Sequence, residues 1–366
     1  MSNKNFKSKI YYVSELNIPN KSAYSIHVMK MCEAFSKLGF KAFLFTINNK
    51  NLTKTFKSYN VKYKFKIIPV FKNFRKLNFL SRVTFSKKIL SNNFEKNSIL
   101  ISRSIIFALM ASTLKKNVIL ELHHEIKGLS KLIYIFLKYF GFIDNLKFIF
   151  LHKDLKNFYN IDSKKSIVLD DATNLENFKF KKKKLLKNTC VYIGSFFEGK
   201  GIEQIYRLAR QNNNIKFHIY GEKKHLLFEK KIKNVEVFDY VDYSKIPEIL
   251  SQYEVALMPY QKKVKGRGSI WLEKYMSPLK MFDYMTAKMI IIASDLRVYK
   301  HILKNNFNCK LIKTNDDEKW SQTINYIFKN KKKNQYLKNN AYKTAKRYTW
   351  EKRCKKIITF SEKKYH

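Results

Sequence analysis

An α/β fold made of two doubly wound domains is what this chain predicts, and three observations carry the expectation. The chain has 366 residues, more than one ordinary α/β domain uses, so two domains of roughly 150–200 residues each are expected. Short apolar runs alternate with amphipathic stretches, as they do where helices cover a parallel sheet. The alternation breaks at the lysine run 181–184 and then restarts. That run reads as part of an interdomain linker, although a solvated loop has the same composition.

In the first half, 10–13 reads as a strand. A Pro/Asn/Ser loop leads to a helix over 24–38, with Ser22 as its N-cap and Gly39 as its stop. Further strands fall at 42–47, 67–70, 98–102, 118–122, 148–151 and 166–169. The second half offers strands at 189–193, 216–220, 235–238, 255–258 and 289–293, with a helix over 202–211. The stretch 348–364, opened by Thr349-Trp350-Glu351, reads as a last helix. Each half has the pattern of a nucleotide-binding unit. Two such units facing one another leave a cleft, where ligands meet the carboxyl ends of the strands.

Composition narrows the function. Lys and Arg number 74 against 28 Asp and Glu, a formal net charge of +46. Such a field draws phosphorylated substrates, anionic lipid or nucleic acid. Most of the excess is Lys, and it comes with abundant Asn, Ile, Phe and Tyr, all of which have AT-rich codons, so base composition supplies part of the charge. A nucleic-acid partner is not expected, because no reading motif or interleaved basic–aromatic patch accompanies the charge. Cys32, Cys190, Cys309 and Cys354 have no metal-type spacing and fit inert thiols in a reducing compartment. The amino terminus lacks the apolar core of a signal peptide. No segment reaches the ~18 uninterrupted apolar residues of a membrane span; the nearest, 131–143, is interrupted by Lys138. That stretch, apolar with interspersed Lys, predicts loose and salt-sensitive association with an anionic membrane, and a buried helix would have the same pattern.

Two motifs carry chemistry. In YIGSFFEGKGIEQI (192–205) a strand ends at Gly194, and Lys200, flanked by glycines, opens the next helix. Glycines let backbone approach a phosphate, the helix start favours negative charge, and Lys200 adds a cation. A plain strand–turn–helix joint with a solvent lysine fits the same residues. In SPLKMFDYMTAKMIIIASD (277–295), Ser277 suits an N-cap and Pro278 the first helical position. Lys280 and Asp283 are three apart, on neighbouring helical positions. Lys280 can face a diphosphate there, and the Asp283 carboxylate can accept both hydroxyls of a ribose; a surface ion pair between the two fits equally.

These segments resemble the donor-phosphate loop and donor helix of family 4 glycosyltransferases, which have the GT-B fold of two facing Rossmann-like domains and an interdomain cleft. VEVFDYVDYSKIPEILSQYEVALMPY (235–260) resembles the segment closing one side of their nucleotide pocket, and VLDDATNLENF (168–178) resembles their hinge. The first strand and helix, and LELHHE (120–125), match in order as well. The resemblance implies transfer of a sugar from a nucleotide diphosphate sugar to a glycan or lipid-linked acceptor, with retention at the anomeric carbon, no cofactor and no metal. With the scattered cysteines and the basic, apolar stretch 131–143, a cytoplasmic enzyme peripheral on the inner face of the membrane is expected, serving cell-envelope polysaccharide. The resemblance divides the chain into an acceptor-side domain 1–178, a nucleotide-sugar domain 179–347 and a helix 348–366 crossing back to the first domain.

By matching positions, Gly194, Ser195, Lys200 and Gly201 would surround the donor diphosphate with Lys280, and Asp283 would hold the ribose. His123, preferred over its neighbour His124, would reach the transferred sugar or acceptor hydroxyl; a buried structural histidine is the alternative. Arg103 ends a strand and would contact acceptor or phosphate, or form a structural salt bridge. The chain departs from the family in several places: Tyr275 and Asp283 stand where two Glu are usual, Ser195 where Arg is usual and Ala172 where the hinge has Gly, and the first strand–helix loop lacks its common glycine pair. Lys280 or Arg267 would replace the lost positive charge, and Glu273 is out of register. A GT-B nucleotide-sugar epimerase, or a catalytically degenerate partner subunit, would share the resemblance.

Overall fold

The computed structural model describes residues 8–49, 51–72, 77–179, 183–226, 232–266, 271–272 and 274–362. Arg267, Glu273, Lys181 and Lys182 lie outside them. The chain forms two compact units, one from residues up to Asp170 together with Trp350 onward, the other from Asp171 to Thr349.

The first unit is built on seven parallel strands: β1 (Lys9–Val13), β2 (Lys41–Thr46), β3 (Lys66–Pro69), β4 (Ile99–Ser102), β5 (Val118–Leu122), β6 (Leu146–Phe150) and β7 (Ser166–Val168). Their order across the sheet is β3-β2-β1-β4-β5-β6-β7, with Tyr12 in register with Leu44 on one side and Ile101 on the other. The central strands are largely apolar because helices cover both faces; all five residues of β5 are buried, the charged Glu121 among them. Helix α1 (Ala23–Lys37) starts where the Ser22 hydroxyl accepts the Ser25 N–H at 3.1 Å. It ends at Gly39, whose φ of +89° suits glycine. Further helices are α2 (Ile105–Thr113) and α3 (Leu129–Tyr139). The unit closes with the chain's last helix, Trp350–Glu362, which packs on α1. That helix buries Trp350, Cys354, Ile357 and Phe360, a spacing of three and four that keeps one stripe inward. Lys37 and Glu351 join the two helices at 2.7 Å.

The second unit holds six parallel strands: β8 (Thr189–Ile193), β9 (Lys216–Tyr220), β10 (Val235–Phe238), β11 (Val255–Met258), β12 (Ile290–Ser294) and β13 (Lys310–Ile312). Their order is β10-β9-β8-β11-β12-β13. Each unit therefore reverses strand order beside its own first strand, between β1 and β4 and between β8 and β11. In open α/β sheets ligands gather at that reversal, outside the carboxyl ends of the strands. Helices α4 (Ile202–Gln211) and α5 (Leu279–Thr286) follow β8 and precede β12; the last helix, Trp350–Glu362, is α6.

Two details differ from the sequence reading. Strand β13, KLI, is too short and too polar in its surroundings to stand out, and only pairing with β12 makes it a strand. Helix α5 starts one residue later than expected, with Pro278 as the cap position. The Ser277 hydroxyl instead accepts the Asp171 N–H at 3.0 Å, a partner more than a hundred positions away.

Candidate functional site

In the second unit the chain leaves β8 at Gly194 and turns through Ser195 to Gly201, the cap of α4. A side chain at Gly194 would collide with the Lys280 ammonium, and one at Gly201, where φ is +80°, with the Pro259 carbonyl. The backbone contact makes glycine a requirement at position 201, while at 194 the lysine end could move aside. Neither α4 nor α5 has a side-chain cap, so both helix starts present free N–H groups.

The two lysines lie at these helix starts. Lys200 is 8% exposed, and its Nζ is 4.7 Å from the centre of the Tyr260 ring. The Nζ of Lys280 lies 3.5 Å from the Tyr192 ring and 5.3 Å from the same Tyr260 ring. It is buried without a hydrogen-bond partner among the described residues, so the expected ion pair with Asp283 does not form. Burial pushes Lys200 down to about 8. Burial, and then the charge of Lys200, holds Lys280 far below the lysine range. Cation–π contact offsets only part of such a desolvation cost. Two adjacent buried cations with no carboxylate between them among the described residues form a receptor for an anion.

Around them, the Tyr192 hydroxyl donates to the Ser195 carbonyl at 2.8 Å, and Tyr275 is buried. Asp283 is buried one turn along α5; its Oδ1 accepts from the Tyr243 hydroxyl at 3.0 Å and the Thr173 hydroxyl at 3.3 Å.

In the first unit the corresponding edge carries Arg103 after β4 and His123 after β5. The Arg103 guanidinium lies 3.7 Å from the Tyr24 ring centre. The Nε2 of His123 is 2.8 Å from Oε1 of Glu121. Glu121 is the residue that sequence reasoning missed. Its Oε1 also lies 2.8 Å from Nε2 of His27 and accepts from Arg353 of α6 at 2.6 Å, while its Oε2 accepts from the Tyr12 hydroxyl at 2.7 Å. Strand alternation could have found it, because residues 121 and 123 share a face.

Burial alone would raise the Glu121 carboxyl, but the charges of His27 and Arg353 and the His123 hydrogen bond outweigh it and hold it well below the carboxylate range. An ionised carboxylate only accepts, so His123 Nε2 carries the proton and Nδ1 is left as an acceptor. Burial, and then the charge of Arg103, pushes His123 down to about 3. It is a neutral imidazole of fixed tautomer near pH 7. His124 turns its Nδ1 to the Glu125 carbonyl at 2.9 Å, and burial lowers it too. His27, Glu121 and His123 bring three potential ligand atoms within 4.8 Å, a grouping that sequence spacing did not reveal. The carboxylate already accepts a guanidinium and a phenol, so the cluster is a hydrogen-bond hub.

Residues 174–344, inside the second unit, match the family model described as Glycosyl transferases group 1. No curated protein matches the chain by sequence. A glycosyltransferase from Rickettsia africae is similar in structure, with a TM-score of 0.71 at 13% identity, over 98% of each chain. HepE of Anabaena in complex with UDP and glucose gives 0.69 at 9% identity, over 96% of this chain and 99% of that one. TarM of S. aureus, in a complex containing UDP, gives 0.65 at 13% identity, over 98% and 100%. The chain thus has the GT-B fold of these solved glycosyltransferases. Within it, residues 174–344 are similar to a domain of the Glycosyl transferases group 1 description.

Proposed function

We propose that the protein transfers a glycosyl group from a nucleotide diphosphate sugar to a hydroxyl of a glycan or lipid-linked acceptor, with retention and without a metal ion. The carrying observation is the Lys200–Lys280 pair: two buried cations, no carboxylate counter-ion among the described residues and two helix starts without a side-chain cap. A diphosphate supplies the missing negative charge. That charge grows as the glycosidic bond to phosphate breaks, so the lysines stabilise the transition state more than the bound donor. The same two cations supply the charge neutralisation that a divalent ion gives elsewhere.

In this reading Asp283 holds the ribose, fixed by Tyr243 and Thr173. Arg103 and His124 lie on the acceptor side. His123 offers Nδ1 to a sugar or acceptor hydroxyl. A group held at about 3 is a poor base at neutral pH, so its role is orientation rather than proton transfer. Four free, buried cysteines suit a cytoplasmic enzyme, and cell-envelope polysaccharide is the product class in view.

UDP-sugars are the first donors to test, since the HepE and TarM structures hold UDP. Calorimetry with UDP and other nucleoside diphosphates, followed by product analysis with and without glycan acceptors, tests the proposal. Acceptor-dependent release of nucleoside diphosphate supports it. Conversion of the donor sugar without an acceptor identifies an epimerase instead, and absence of any nucleotide binding refutes the donor site.

A further inference from the structure

Helix α3 turns the usual surface pattern around. It packs through Ser130, Tyr134 and Leu137, with the Tyr134 ring edge-on to Tyr159 at 5.5 Å. Its other side is apolar as well: Leu132, Ile135, Phe136, Tyr139 and the following Phe140 are all more than half exposed, Tyr139 by 85%. Phe140 contacts Phe136 at 4.7 Å and Tyr139 at 5.2 Å, so the rings form one raised cluster. Scattered exposed apolar residues are ordinary, but a contiguous stripe of them marks an interaction surface.

Along the helix itself the charges have one sign, and the nearest acid beyond its end, Asp144, is paired with Lys165. Lys127, Lys131 and Lys138 are exposed, and no Asp or Glu occurs from residue 126 to 143. A second copy of this chain would bring these lysines against one another with no acid to pair them. Lysine is also depleted from the cores of protein interfaces. An anionic bilayer suits both components at once. It takes rings and aliphatic chains at the level of the acyl boundary, and its phosphates receive the lysine heads at the ends of their flexible stems.

We infer that the exposed face of α3 is an interfacial membrane anchor, seated in an anionic bilayer with Leu132, Phe136, Tyr139 and Phe140 inserted and Lys131 and Lys138 at the headgroups. The anchor lies in the plane of the surface: among the described residues no helix is long and apolar enough to cross a membrane. The inference stands apart from the donor assignment, which lies in the other unit.

Flotation of the full chain with phosphatidylglycerol-containing and pure phosphatidylcholine vesicles tests it. The wild type should float with the anionic vesicles, and raising the salt should weaken that binding without abolishing it, because the apolar part is not screened. Phe136→Asp combined with Tyr139→Asp should cut vesicle affinity at least tenfold while the melting curve and UDP affinity stay unchanged, since both side chains are exposed. Three results overturn the inference: a wild type that stays with the aqueous phase, a double variant that floats like wild type, which would assign binding to diffuse charge, and a dimer in sedimentation that the double variant abolishes without any vesicle binding.

Discussion

Both units bury charged side chains beyond the carboxyl ends of their strands, and they balance those charges in opposite ways. In the first unit Glu121 is matched by Arg353, two imidazoles and a phenol. In the second, Lys200 and Lys280 lie against tyrosine faces with no carboxylate between them among the described residues. A buried charge that has its partners is scaffold: it fixes rotamers and tautomers, and removing one partner leaves the other uncompensated at a large cost. A buried charge without one is poised for something that arrives from solution. The same contrast separates positioning residues from ligand-binding residues in this protein.

The largest test removes a matched charge. Glu121→Ala strands the Arg353 guanidinium and should destabilise the first unit by about 3–5 kcal/mol, read as a fall in melting temperature. Deletion from Trp350 onward should do at least as much harm, because it removes Arg353 and the buried stripe of α6 together. Glu121→Gln should fold, leave UDP affinity within twofold of wild type and lower transfer, since an amide no longer enforces the His123 tautomer. Loss of UDP binding in that variant would break the proposed division of labour.

Removing an unmatched charge should have the opposite sign in the free protein. Lys280→Met deletes a desolvated, unpartnered ammonium, so the ligand-free melting temperature should rise while UDP binds more weakly. Charge-assisted hydrogen bonds contribute roughly 1.5–3 kcal/mol, so the loss of affinity is about ten- to a hundredfold. Lys200→Ala should lose UDP affinity to a similar degree. A Lys280→Met protein that is less stable than wild type, with unchanged affinity, would mean that the lysine is structural.

Asp283→Asn should weaken uridine and UDP alike, by about tenfold or less, because a ribose contact is common to both. A loss confined to UDP would move Asp283 from the ribose to the phosphates. Calorimetry with both ligands, on the variant and the wild type, decides this.

The smallest expected effect is on pH. Lys200, pushed down to about 8 by burial, binds fewer protons in the folded than in the unfolded state between about 8 and the ordinary lysine value of 10.5. Its contribution to stability therefore rises with pH across that window. UDP needs the protonated form, so its affinity should fall several-fold as pH rises past about 8. Opposite slopes for the free-state melting temperature and for UDP affinity are the signature, and Lys200→Met should flatten both. Parallel slopes would show that another group governs the pH response.

Much of this was legible in the sequence because local rules and burial agreed. Strands such as 118–122 and 189–193 are mostly apolar runs, as central parallel strands tend to be, and they could be placed to within a residue. Helix α1 announced itself through Ser22 and Gly39. The glycines and lysines of the second unit stood out because a close backbone approach leaves a local mark: Gly194, Lys200 and Gly201 fall within one short loop, and Lys280 comes just after Pro278 at a helix start. Strand β13 left no such mark, because its strand character comes from pairing with β12.

What only the tertiary structure decided is who neutralises whom. Nothing near Glu121 in sequence shows that Arg353, 232 positions away, shares its carboxylate, or that Tyr12 and His27 complete the set. Nor does the i, i+3 spacing of Lys280 and Asp283 show that one faces two tyrosines while the other bonds Thr173 and Tyr243. The apolar stretch around α3 is equally mute by itself. Periodicity says that a helix has an apolar stripe, but not that a second stripe is left uncovered. The sequence by itself determined the elements and the residues capable of chemistry, because backbone propensity, capping and burial period act over a few positions. The pairing of charges and the exposure of a face depend on which distant elements come to lie side by side, and only the folded chain sets that.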